Sequence, residues 1–101
     1  MFSEVTLKKI KRSCEEVALI LKAMSHPQRL LILGHLLTGE KTVGELEGIC
    51  DISQSQLSQF LSRMKLEGLL DSRKEGRYQY YFVADERLKH LMNTIQQEYC
   101  K

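Results

Sequence analysis

Gln54, Ser55, Gln56, Ser58, Gln59 and Ser62 form a run of neutral hydrogen-bonding side chains that closes on Arg63 and Lys65. No acidic residue lies between Asp51 and Glu67. Amides and hydroxyls pair with base edges in the major groove of DNA, and a surface without carboxylates suits a polyanion. The expectation is that Gln54, Ser55, Gln56, Ser58 and Gln59 face base edges. Ser62, Arg63, Lys65, Arg73, Lys74 and Arg77 are then expected to hold phosphate. On this stretch alone, an ordinary amphipathic surface helix rich in Gln and Ser is an equal alternative.

The remaining reactive residues point to little chemistry. Cys14, Cys50 and Cys100 are widely separated, and His26, His35 and His90 form no paired spacing. Zinc needs several ligands converging at about 2.0–2.3 Å, so neither a metal nor any other cofactor is expected, and the histidines read as caps or surface residues. There is no nucleophile, base and orienting group in series and no glycine-rich phosphate loop, which argues against an enzyme. Tyr78, Tyr80, Tyr81 and Phe82 beside Arg77 could stack on single-stranded bases. Strand residues alternate faces, however, so covering a core and a wing is the stronger reading, with the inward aromatic left open.

These side chains need elements to hold them. Ser53 can cap the helix that carries them, and Leu57, Leu61 and Met64, with Phe60 beside them, recur at helical spacing. Upstream, Leu7, Ile10, Cys14, Val17, Leu21 and Met24 trace the seam of a long helix that packs on another helix. A second helix should start near Pro27 and stop at Gly39. Gly34 inside it costs about 1 kcal/mol relative to alanine, and a close helix approach would explain it. A short helix from Val43 to Cys50, with Leu46 and Ile49 inward, precedes Asp51-Ile52-Ser53; two helices so joined form a helix-turn-helix. The carrier helix should end at Glu67-Gly68. Leu69 to Arg73 and Tyr78 to Val83 read as strands, with Lys74-Glu75-Gly76-Arg77 between them and Gly76 supplying the positive φ of a hairpin. A last helix from Asp85 to Tyr99 carries Leu88, Leu91, Met92, Ile95 and Tyr99 on one face. The order is α-α-α-α-β-β-α: mainly helical with a β-hairpin, one winged helix-turn-helix domain over residues 1–101.

Composition agrees with that outline. With 101 residues, 43% hydrophobic and 28% charged, the chain suits one soluble domain. The net charge of +2 does not by itself announce nucleic acid, but its distribution is uneven. Lys8, Lys9, Lys11 and Arg12 cluster early, where a solvated helix face is favoured over phosphate contact. No apolar run is long enough for a membrane span and no signal-peptide pattern is present, so a cytoplasmic location is expected.

The run His26-Pro27-Gln28-Arg29-Leu30-Leu31-Ile32-Leu33 resembles the opening of the second helix in ArsR–SmtB winged-helix repressors. Val43-Gly44-Glu45-Leu46, Ser53-Gln54-Ser55 through Leu57-Ser58-Gln59, and Glu67-Gly68-Leu69-Leu70 with Arg73-Lys74-Glu75-Gly76 match that family in order and spacing. Tyr99-Cys100 resembles the Tyr-Cys ending of its BigR- and HlyU-like, thiol-sensing branch. The resemblance implies a homodimer joined through the first and last helices. It implies binding to an inverted repeat in double-stranded DNA, an inducer that releases it, and Tyr81 as the inward aromatic. Metal-sensing members carry Cys-x-Cys where this chain has Thr42 and Gly44, which speaks against a metal-responsive repressor.

In the thiol-sensing branch a cysteine of the second helix pairs with the C-terminal one. Cys100 fills the second place, but the first falls on Gly34. Cys14 and Cys100 are therefore the candidate redox pair, within or between subunits, against a reading of Cys14 as a small buried hydrophobe and Cys100 as a frayed terminal thiol. Cys50 is expected to fill core. The chief alternative to a DNA-binding repressor is a winged helix serving as a protein-interaction module.

Overall fold

The computed structural model describes residues 4–100, so the outermost residues of the expected 1–101 domain lie outside the description. Helix α1 spans Glu4–Met24, α2 Pro27–Leu36, α3 Val43–Cys50, α4 Gln54–Leu66 and α5 Glu86–Tyr99. Three strands, β1 (Lys41–Thr42), β2 (Leu70–Glu75) and β3 (Tyr78–Val83), form an antiparallel sheet in the order β1-β3-β2. Among the described residues no helix is long and apolar enough to cross a membrane.

Capping chemistry sets the boundaries. His26 Nδ1 accepts from the Gln28 amide at 3.1 Å, so this histidine caps α2 with Pro27 in the first turn. Helix α2 ends at Leu36 rather than running to Gly39; the chain tightens through Thr38 and reaches positive φ at Gly39. Thr42 and Glu45 form a reciprocal capping box that starts α3. Asp51 then turns left-handed at φ 47°, a conformation that a short polar side chain tolerates, and Ser53 Oγ accepts from the Gln56 amide to begin α4. At the other end the Gly68 amide donates to Lys65 O and the Leu69 amide to Met64 O, the paired bonds of a glycine-terminated helix.

The hairpin is tighter than the sequence suggests and its first strand runs on to Glu75, while the second keeps the expected bounds. Glu75 pairs with Tyr78, leaving Gly76 and Arg77 as a two-residue turn. Only Gly76 of the two has positive φ, the pattern of a II′ turn. Strand β1, absent from the sequence reading, pairs Lys41 with Tyr81 and Thr42 with Tyr80. Two residues are too few to carry a periodic signal.

The core gathers Ile32, Leu33 and Leu36 of α2, Leu46 and Cys50 of α3, and Leu57, Phe60, Leu61 and Met64 of α4. Leu69, Leu70, Tyr81, Val83, Leu88 and Met92 close it. Tyr81 is the inward aromatic of β3. On α3 the inward pair is Leu46 and Cys50, not Leu46 and Ile49; both spacings share a helical face, and the packing of the whole helix leaves Ile49 exposed. Gly34 is not a point of close approach, since a Cβ there would meet nothing within 4 Å.

Helix α1 is different. Only its last turns, through Ile20, Ala23 and Met24, join the core, while Leu7, Val17 and Leu21 are about half exposed. One ion pair, Arg87 Nη1 to Glu16 Oε2 at 3.2 Å, links it to the start of α5.

Candidate nucleic-acid interface

Burial divides α4 cleanly. Leu57, Phe60, Leu61 and Met64 face the core, and Gln54, Ser55, Gln56, Ser58, Gln59, Ser62, Arg63 and Lys65 are all exposed. None of the side chains of Gln54, Ser55, Gln56, Ser58, Gln59 or Ser62 makes a hydrogen bond among the described residues, so their donors and acceptors are open to a partner. Ser58, Gln59, Ser62, Arg63 and Leu66 border one shallow depression on the outer face.

The cations differ in how free they are. Arg63 Nε donates to Glu67 Oε1 at 2.7 Å, one turn on, and its side chain is 70% exposed. Lys65 Nζ donates to Ser72 Oγ at 2.8 Å, a neutral partner that leaves its charge uncompensated; Gln79 Nε2 donates to the same oxygen. Lys74 is exposed with no partner among the described residues, and Arg77 at the turn lies over the Tyr78 ring at 5.2 Å.

Arg73, expected at phosphate, is engaged elsewhere. Its guanidinium makes a two-pronged pair with Glu40, donates to Glu75 Oε2 at 2.8 Å and covers the Tyr80 ring at 4.6 Å. These hydrogen bonds raise the Arg73 pKa, and the Arg73 guanidinium holds the Glu40 carboxyl below the ordinary carboxylate range. Its charge is neutralised and its fork is filled, so Arg73 ties the base of the wing to the segment before β1. Sequence reasoning could not see this, because Glu40 lies 33 residues away.

Two cations that the motif reading passed over sit beside α4. Lys22 of α1 and Arg29 of α2 border a cleft of about 570 Å³ whose other wall is Gln56, Gln59 and Arg63. The only sequence cue was Arg29 within the opening of the second helix.

The thiols are not joined. Cys14, Cys50 and Cys100 are free, with Cys14 and Cys100 exposed and Cys50 buried. Cys100 borders an apolar groove of about 430 Å³ whose facing wall is α2, including Gly34, and among the described residues none of α1 lines it. A Cys14–Cys100 bond within one protomer thus has no support in this arrangement, and Cys14 is exposed on the lone protomer rather than part of its core. Burial also pushes the Cys50 thiol up, disfavouring the thiolate that does the chemistry. Alkylation of the native protein should therefore reach Cys50 only after unfolding, later than either exposed thiol, read by intact mass over time. Rapid triple labelling would contradict the placement of Cys50.

Among the described residues no three His, Cys, Asp or Glu side chains converge as a metal site requires. Thr42 and Gly44, where metal sensors carry Cys-x-Cys, are here a helix cap and a glycine.

A helix-turn-helix whose second helix is exposed, polar and free of carboxylates, followed by a hairpin with a basic tip, defines a winged helix-turn-helix DNA-binding transcription regulator. Residues 26–72 match the model of the family described as bacterial regulatory protein, arsR family. The chain is 41% identical to the HTH-type transcriptional regulator YgaV of Escherichia coli, covering 93% of this chain and 96% of that one. It is 35% identical to the biofilm growth-associated repressor of Agrobacterium fabrum, over 96% of this chain and 83% of the other. The structure of reduced HlyU from Vibrio cholerae superimposes with a TM-score of 0.88 at 33% identity, covering 93% and 99% of the two chains. This protein belongs to the ArsR family.

Proposed function

We propose that the protein is a cytoplasmic, homodimeric repressor that reads an inverted-repeat operator with α4 and is released by an inducer acting on thiols. The observation that carries the reading is the set of exposed, unengaged amides and hydroxyls on α4, with no carboxylate between Asp51 and Glu67. Gln54, Ser55, Gln56, Ser58 and Gln59 read base edges. Ser62, Arg63, Lys65, Lys74 and Arg77 hold phosphate, and Arg73 is left out because Glu40 and Glu75 occupy it. The name of the Agrobacterium relative supports repression as the direction of control.

Substitution separates these roles. Gln59→Ala should cost about 1–3 kcal/mol on the cognate operator and relax preference at particular base pairs. Arg77→Ala should weaken all duplexes alike and reduce the salt slope by about 0.9 for each phosphate it no longer neutralises. Arg73→Ala should leave that slope unchanged. Salt titrations on operator and random duplex read all three. Affinity indifferent to salt would instead favour a protein-interaction module.

The half-exposed Leu7, Val17 and Leu21 on α1 favour a two-fold dimer through α1 and α5, which matches a palindromic operator. In that assembly Cys14 and Cys100 can react between subunits, and a link there would alter the spacing of the two reading helices. A persulfide or disulfide donor should then weaken operator binding reversibly. Cys14→Ser and Cys100→Ser should each remove the response, and Cys50→Ser should not.

A further inference from the structure

The cleft between α4 and the α1–α2 junction carries a charge pattern that the base-reading face does not explain. Lys22, Arg29 and Arg63 border it against one carboxylate, Glu67, which is already paired with Arg63. Leu19, Ala23 and Phe60 supply its apolar lining. A cleft lined by one sign of charge with low-dielectric walls concentrates the field on whatever enters it.

Arg29 is held ready there. Its guanidinium lies over the Phe60 ring at 4.9 Å, and Nη1 donates to Ala23 O at 3.4 Å. Nε is buried and has no hydrogen-bond partner among the described residues. Stacking on Phe60 and the bond to Ala23 O hold the guanidinium in one orientation, and a fixed guanidinium at the cleft wall suits phosphate oxygens. Lys22, exposed in the last turn of α1, adds a point charge at the rim.

We infer that this cleft seats the backbone phosphate of the DNA strand on the side of α4 away from the wing, with Arg29 and Lys22 as its clamps. The inference rests on the DNA-binding reading and extends it to residues outside the helix-turn-helix. Gln56 and Gln59 border both the cleft and the base-reading face, so a phosphate seated here fixes the register in which those amides meet the bases. The wing and the cleft then grip the two strands that flank one major groove. Phosphate contacts of this kind position a reader without carrying sequence information themselves.

The test is the salt dependence of binding to a random duplex. Lys22→Met and Arg29→Met should each lower the slope of log affinity against log salt by about 0.9 for every phosphate left without its cation. Lys89→Met, which removes a charge remote from the cleft, should leave it unchanged. Lys22 is exposed, so its variant reports even if Arg29→Met perturbs the packing on Phe60. A wild type that binds while both variants keep its slope overturns this assignment alone. A wild type without affinity for any duplex overturns both it and the reading beneath it. Saturable binding of inorganic phosphate that depends on Arg29, with duplex slopes unaltered, would make the cleft a small-anion site and also overturn the assignment.

Discussion

Leu21→Glu is expected to abolish the dimer and, with it, operator binding. Leu21 is 50% exposed in the lone protomer, so the change should leave each subunit's own core intact. In the proposed assembly it places an unpaired carboxylate in an apolar seam, which costs several kcal/mol unless the interface opens. Once the subunits part, the second half-site is no longer engaged intramolecularly, and the loss in affinity is on the order of 10²–10⁴-fold. Sedimentation at micromolar concentration should give a wild-type dimer and a variant monomer with a wild-type circular dichroism spectrum. A wild type that sediments as a monomer, or a variant that remains dimeric and binds operator normally, would refute the proposed interface.

Leu61→Ala should cost far more stability than truncation of an exposed residue of α4. Leu61 is fully buried beneath the polar face, among the residues that seat α4 on the rest of the fold. Truncating a buried leucine costs about 2–5 kcal/mol, the spread reflecting how far the site can collapse. Against a total stability of roughly 5–15 kcal/mol, the midpoint of thermal unfolding should fall by about 10–30 °C. Leu66→Ala is the control: Leu66 is 85% exposed, and its truncation should stay within about 0.5 kcal/mol. Both must be measured at one protein concentration, because association would make the midpoint depend on it. Equal effects from the two substitutions would contradict the burial pattern of α4.

The order of helices and hairpin was legible because it rests on interactions between near neighbours in the chain. Ser53 reaches an amide three residues on, Gly68 ends α4 through bonds three and five residues back, and Gly76 turns the hairpin. The polar face of α4 was legible for the same reason: once Leu57, Phe60, Leu61 and Met64 are assigned to the core, the remaining positions must point outward. Tertiary structure decided what no local rule reaches. The partnership of Arg73 with Glu40 depends on β2 lying near the segment before β1, and strand β1 exists only because β3 is there to pair with it. Ile49 and Cys50 both lie about one turn from Leu46, so only the packing of the whole helix decides that Cys50 is buried and Ile49 exposed. The groove by Gly34 and Cys100, and the cleft that joins Lys22 and Arg29 to Gln56, arise between helices distant in sequence. A periodic pattern names the face a helix buries; which charges meet across the remaining surface is set by the packing of whole elements, since side chains pair with whatever the fold brings within about 3 Å of them.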